Sequence, residues 1–403
     1  MRMIGSFVPQ AGRIDRDGLA GMDPDRLARY VADASHPWWR RRPCVEALAG
    51  RVPERRVPAL LDRVRDSRDT PEVRIALLEL LAERAELLPW LQDPERERDS
   101  SYGLAEAYLL ARGRLGDATA VGGLAVAAAQ PWRHRREAGE AGLDALVARY
   151  GTAAVLDRLG TGTPEHRTAR VRLRDRAGED VTDALADPDR TVAFAAQERL
   201  TDLDRLRAYA AAAAAPTVEA ALWAAYALHQ RTEDADETRA IDAALGRPRV
   251  EVPGLDEELR APIVRAWAPW CERPSDPRWR IEAICASPAD PVDVPAQLER
   301  ATAALAAADL DPAPPVEAGD HHGQGEGTYH VYPLAPGEVL VSTLGRFVTA
   351  EDDDHPARPA LEAAGFRWID GETGGVLVTD LAVYWFGARV PLTVDTLLFH
   401  WQD

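Results

Sequence analysis

The chain has 403 residues, of which 46% are hydrophobic, 28% charged and 6% aromatic, a balance that excludes a largely disordered polypeptide and points to folded, mainly helical structure. Its net charge of −18 is uneven: residues 1–250 carry 38 Arg against 40 Asp and Glu, whereas residues 251–403 carry 10 against 26. The acidic C-terminal part repels phosphate backbones, so nucleic acid is disfavoured as a partner.

All 48 residues of the Lys and Arg class are arginine, which removes Schiff-base chemistry, a lysine general base and the P-loop lysine. Cys44, Cys271 and Cys285 form no C-x-x-C pair, so neither a disulfide framework nor a zinc knuckle is indicated, and they read as reduced core thiols. The first residues reach charges before any signal-peptide run, and no stretch offers 18 uncharged apolar residues. The expectation is a cytoplasmic protein with no membrane span.

Residues 1–22 read as an N-terminal extension. From 23 to 245 short amphipathic helices are punctuated by Pro, Gly and Asp. Helix starts with proline near the first position are predicted at Pro24, Pro43, Pro71, Pro131, Pro164, Pro188 and Pro216. From Pro71 onward these starts, with Ser100 and Ser101, recur every 24 to 33 residues, the period of an array of helix pairs. Val73, Leu77, Leu80 and Leu81 form one apolar stripe, and Val192, Ala195, Ala196 and Leu200 nearly repeat it. A third stripe is Val218, Leu222, Ala225 and Tyr226, and the alanine run Ala210 to Ala215 suits a close-packed inner helix.

The stretch ALADPDRTVAFAAQERLTDL, Ala184 to Leu203, resembles a short HEAT repeat of the phycobilisome-lyase-like type: Asp-Pro opens the helix, Val192 and Ala196 face inward, and Leu200 closes the turn. The resemblance extends as a pattern over about residues 40–245. It implies a mainly α fold, a HEAT-like α-solenoid, here followed by a small α+β domain. It also implies recognition more than chemistry, with scaffolds and adaptors foremost and a minority of relatives that bind tetrapyrrole proteins or act on alkylated DNA.

Residues 246–311 read as capping or bridging helices, and 312–328 as a Pro/Gly-rich linker marked by Pro312, Pro314, Pro315, Gly323, Gly325 and Gly327. Residues 329–403 read as the α+β domain: GEVLVSTLGRFVT, FRWID and GGVLVTDLAVYWFG are strand-like, with Gly374-Gly375 placed to turn the second into the third. Pro356 to Ala364 reads as a helix, and PLTVDTLLFHWQ as a helix capped by Thr393. Between Leu381 and Phe386 both alternating faces are apolar, which calls for cover from helices, from the array or by self-association through the C-terminal domain.

Two clusters carry candidate binding residues. Trp38, Trp39, Arg40, Arg41 and Arg42 form one; Trp132, Arg133, Arg135 and Arg136 form the other. Tryptophan beside arginine can stack on bases and grip phosphates; the structural alternative is tryptophan packing a helix start while arginines pair with neighbouring carboxylates. Arg167, Arg170 and Arg174 share one helical face and read as a solvated ion-pair face. His321, His322, His330, His355 and His400 lie near the acidic run Glu351 to Asp354, but no established ligand spacing appears, so no metal is expected. The G-x-G-x-G string at Gly323, Gly325 and Gly327 follows a linker and precedes a strand, the wrong context for a dinucleotide loop. With no catalytic signature, the expectation is a non-enzymatic scaffold or adaptor that takes a protein or peptide, without cofactor. The alternative is a HEAT-like nucleic-acid-binding or alkylated-DNA repair protein using the Trp/Arg clusters.

Overall fold

The computed structural model describes residues 4–99, 101, 103–211, 214–288, 290–335 and 337–402. The chain is mainly helical with a C-terminal region of small sheets, and it divides into two compact units, Met1–Asp180 and Val181–Asp403.

The first unit contains α1 (Ile4–Phe7), α2 (Arg16–Ala20), α3 (Pro24–Ala32), α4 (Trp38–Glu46), α5 (Val57–Arg65) and α6 (Pro71–Leu80). They are followed by α7 (Leu88–Leu91), α8 (Leu104–Arg114), α9 (Val121–Ala129), α10 (Arg133–Tyr150), α11 (Thr152–Leu159) and α12 (Pro164–Arg176). Neighbours in sequence pack in pairs, α3 on α4 and α5 on α6, while α4, α6, α8 and α10 also touch in succession. Residues 1–22 do not trail away: Ile4, Phe7, Val8, Leu19 and Met22 are buried in the same core as Leu27, Leu60 and Leu77.

Proline marks the starts of α3, α6 and α12 at the first helical position, where its missing N–H costs nothing. Pro43 corrects the expectation, because it lies inside α4. The start belongs to Pro37, whose extended backbone occupies the N-cap and whose carbonyl accepts from Arg41 N. After Pro131, Pro188 and Pro216 the helices begin two residues on, with Trp132, Asp189 and Thr217 at the caps. Ser100 lies outside the described residues.

Close packing of α8, α9 and α10 depends on glycine. A Cβ on Gly139 would run into the Ala128 backbone, and one on Gly113 would stand 2.8 Å from the Gly142 Cα. Three helices therefore meet at backbone distance.

The second unit begins with α13 (Arg190–Gln197), α14 (Leu203–Ala210), α15 (Val218–Thr232), α16 (Ala235–Ala244), α17 (Glu257–Trp267), α18 (Pro277–Cys285) and α19 (Val294–Ala307). The alanine run is not one inner helix, since α14 closes at Ala210; Ala212 and Ala213 lie outside the described residues. Trp223 on α15 is fully buried, and the Arg280 guanidinium of α18 sits 5.0 Å from the Phe194 ring and 5.2 Å from that of Tyr226. Its NH2 group donates to the Cys271 and Glu272 carbonyls at 2.7 and 2.8 Å, so this buried cation, with no ion pair among the described residues, is held by rings and backbone dipoles.

The stretch read as a linker is structured: β1 (Val316–Glu317), α20 (Ala318–His322) and β2 (Glu326–Gly327) precede β3 (Tyr329–Leu334), β4 (Gly337–Ser342) and β5 (Phe347–Ala350). Then come α21 (Arg358–Ala363), β6 (Arg367–Trp368), α22 (Gly371–Gly374), β7 (Leu377–Trp385), β8 (Ala388–Thr393), α23 (Val394–Leu398) and β9 (Trp401–Gln402). The main sheet runs β1-β3-β4-β5-β6, antiparallel except for the β5–β6 pair. Gly319 and Gly327 serve close approach, since a Cβ on Gly319 would meet the Gly325 carbonyl, while Gly323 closes α20 at a φ of 79°.

The hairpin expected at Gly374-Gly375 does not form. Those glycines end the short α22, and β7 instead pairs with β8 across Phe386 and Gly387, at φ of 44° and 84°. Two loop residues at positive φ match the twist of a tight hairpin, which the glycine of Phe386-Gly387 makes accessible. The C-terminal segment is a helix capped by the Thr393 hydroxyl, followed by β9.

One face of the main sheet, with Tyr332, Val339, Val341 and Val348, is covered by Ala301 and Leu305 of α19 and Leu361 of α21. The other, with Tyr329, Val331 and Phe347, meets β7, α23 and α17. Leu381, Ala382 and Val383 are buried, whereas Tyr384 and Phe386 are exposed, so only the first half of the apolar run needed cover. Helices of the same unit supply that cover: Leu259 and Ile263 of α17 join the cluster, and the 272–276 segment donates Glu272 N to Ala382 O and Asp276 N to Asp380 O.

Candidate functional site

In the first unit, one side of α4, α6 and α8, which touch in succession, borders two hollows. Arg42, Val45 and Glu46 on α4, with Ala49 just past its end, Glu72, Ile75, Ala76 and Glu79 on α6, and Ala107, Leu110, Ala111 and Arg114 on α8 each fall at i, i+3, i+4 and i+7. That spacing puts four side chains in a line along each helix. The opposite face of α6 is committed to the core through Val73, Leu77 and Leu78. The open face holds a groove of about 760 Å³ between α4 and α6, continued by a hollow of about 130 Å³ toward α8 that shares Ile75 and Glu79.

The floor is apolar in the middle, at Val45, Ile75, Ala76 and Leu80, and charged at the rims. Arg42 is committed to Glu46 at 3.4 Å, and Glu46 also faces Arg16 at 3.8 Å. Glu72 and Glu79 have no ion-pair partner among the described residues, so the α6 stripe offers two open carboxylates one heptad apart with an apolar step between them.

The two sequence clusters divide differently. Trp39 packs against the core under Arg40, whose guanidinium lies 4.6 Å from the ring and whose Nε donates to Val8 O at 3.1 Å. Arg41 is buried, bidentate to Asp69 at 2.7 and 2.6 Å, with Nε donating to Val31 O at 2.9 Å. At 1% exposure it is closed off from any ligand. Trp38 remains 41% exposed, and of this cluster only Arg42 lines the groove. In the second cluster Trp132 is 58% exposed. Arg133 pairs with Glu137 at 2.6 Å and Arg135 with Glu106 at 2.7 Å, and Arg136 donates to Pro131 O at 3.2 Å. Trp38 and Trp132 are open while the arginines are largely spent internally. Arg170 donates to Leu156 O at 2.6 Å and Arg174 faces Glu179 at 3.4 Å, so this face also pairs within the unit.

A pattern missed in the sequence is the buried arginine at the fourth residue of a helix. Arg41 in α4 and Arg74 in α6 each donate Nε to the carbonyl ten residues earlier, Val31 and Val64, at 2.9 Å. Each also reaches forward, Arg41 to Asp69 and Arg74 to the Tyr108 hydroxyl of α8. Arg260, fourth in α17, repeats it in the second unit through Val250 O at 2.9 Å and Glu282 at 2.7 and 2.6 Å. Each closes a free carbonyl near the end of the preceding segment. The 33-residue step from Arg41 to Arg74 was the available signal.

In the C-terminal part, His322 Nε2 and the Tyr329 hydroxyl are 2.8 Å apart, and His322 lies against the Trp401 ring at 4.1 Å. Among the described residues no group of three His, Cys, Asp or Glu side chains is placed to hold a metal ion. Burial pushes the Cys44 thiol up to about 12 and, with Asp242 nearby, the Cys285 thiol up to about 11, so neither is an activated nucleophile. No helix among the described residues is long and apolar enough to cross a membrane.

The fold and groove thus define a mainly helical protein with an open helical face and a small sheet region. No family model matches the chain, and no curated protein or solved structure matches it.

Proposed function

We propose that the chain is a non-enzymatic, cytoplasmic protein-interaction scaffold, its helix pairs forming a HEAT-like α-solenoid whose open face receives a helical segment of a partner protein. The observation that carries this reading is the α4–α6–α8 groove. Three aligned stripes with apolar centres suit an amphipathic helix laid into a groove. The open carboxylates of Glu72 and Glu79, at i and i+7, select a segment with basic residues at the same spacing. The recurrent Arg41 and Arg74 geometry supports the repeat reading, since the same bonds tie two successive helix pairs.

A photo-crosslinking residue at Ile75 in cells should capture one protein, and the recombinant full chain should bind that protein's crosslinked segment. Ile75→Asp and Glu79→Arg should each weaken binding by about tenfold or more, the scale of a central interface residue. Unchanged binding in both variants would remove the groove from the mechanism.

A second reading, a HEAT-like nucleic-acid-binding or alkylated-DNA repair protein, is favoured by one observation: α4 and α10 begin with exposed tryptophan and no acidic residue in the first turn. It requires salt-dependent DNA binding that falls when Trp132 becomes Ala. The internal pairing of Arg41, Arg42, Arg133 and Arg135 weighs against it.

A further inference from the structure

The acidic C-terminal part spends its arginines carefully. Of the ten between residues 251 and 403, Arg260, Arg273, Arg278, Arg358, Arg367 and Arg389 are in ion pairs, and Arg280 is enclosed by aromatic rings. Arg265, Arg300 and Arg346 have no ion pair among the described residues. With 26 carboxylates in the same stretch, an unpaired guanidinium is the exception, and two of the three line one hollow.

That hollow, of about 310 Å³, lies between the first turns of α19 and the β4–β5 loop. Gln297, more than nine-tenths buried, shapes it by donating Nε2 to Ser342 O at 2.6 Å and Gly345 O at 3.0 Å, which pins the loop against the helix. The Gln297 carbonyl oxygen keeps no hydrogen-bond partner among the described residues. Arg300 follows three residues along the same helix, and Arg346 enters from the pinned loop. Pro291, Val292 and Ala296 give an apolar wall. The one carboxylate in the lining, Asp293, is committed to capping α19 through Ala296 N at 3.0 Å.

We propose that this hollow is a binding site for a small organic anion: an oxyanion group held by Arg300 and Arg346, a short apolar body against Val292 and Ala296, and a donor group answered by the Gln297 carbonyl. Arginine is suited to the first task because its planar fork matches a carboxylate or phosphate. The volume limits the ligand to the scale of an amino acid or a short dicarboxylic acid.

The test is calorimetric titration of the full chain with succinate and, separately, with inorganic phosphate, at low and moderate salt. The expected result is saturable binding of at least one probe with Kd below about 10 mM, weakened by salt and weakened about tenfold or more in Arg300→Gln and Arg346→Gln. Preference for succinate assigns a carboxylate ligand, and preference for phosphate a phosphorylated one. Arg265→Gln, outside the lining, keeps wild-type affinity. Absence of saturable binding by both probes, or equal affinity in wild type and both lining variants, overturns the proposal.

Discussion

The Arg41 and Asp69 side chains are each only 2% exposed and meet through two hydrogen bonds, with a third from Arg41 to the Val31 carbonyl. Removing one partner of such a pair strands the other charge in a poorly solvated place, which costs more than the pair itself contributed. Arg41→Ala should therefore lower the stability of the first unit by about 3–5 kcal/mol, whereas Arg42→Ala, one residue on but solvent-exposed, should change it by less than about 0.5 kcal/mol. Urea denaturation of the two variants checks this, and equal effects would contradict the structural role of Arg41. The sequence placed both arginines in one binding cluster because composition carries no information on which way a helical side chain turns. The i−10 carbonyl and the carboxylate 28 residues ahead become visible only once α3, α4 and the α5–α6 connection are packed.

At the level of elements, the helices were the readable part. Pro24, Pro71 and Pro164 stand where φ and the missing N–H suit a first turn, and the stripe Val73, Leu77 faces the core. What local pattern could not supply was competition between neighbours: Pro37 outranked Pro43, and Phe386-Gly387 rather than Gly374-Gly375 made the β-turn. The 312–328 stretch holds short elements that its composition did not announce, because proline and glycine also serve edge strands and close contacts, as Gly319 and Gly327 do. The groove was half legible, since the i, i+3, i+4, i+7 spacing of α6 is in the sequence but its exposure is not. Glycine gives an element-scale prediction. Gly139→Ala should push α9 from α10 and cost about 1–3 kcal/mol, while Gly162→Ala, which meets nothing within 4 Å at a φ outside the left-handed range, should gain about 0.4–1 kcal/mol. Thermal unfolding of the pair separates close packing from general intolerance of substitution.

Across the whole molecule the pH response includes, in the second unit, two kinds of depressed group, set against Asp242 and Asp395, which burial raises. Burial lowers the His355 and His400 imidazoles, each packed beside a tryptophan, Trp368 and Trp267. The unfolded chain then binds protons more readily than the native one, so the stability these histidines contribute is present above their ordinary value of about 6.5 and is lost as pH falls through their folded values. Asp256 and Asp370 are also lowered, the first chiefly by its hydrogen bonds to Arg367 and the second by its bond to the Thr373 backbone N–H. Their contribution persists above the ordinary carboxylate range and drains only at lower pH. Acid should therefore destabilise the second unit in two stages, histidine first. The urea midpoint followed by tryptophan fluorescence should fall between about pH 7.5 and 5.5, and His355→Gln with His400→Gln should flatten that first stage while leaving the carboxylate stage in place. A midpoint in the wild type that holds constant until the carboxylate range would show that neither imidazole is buried neutral in the native state.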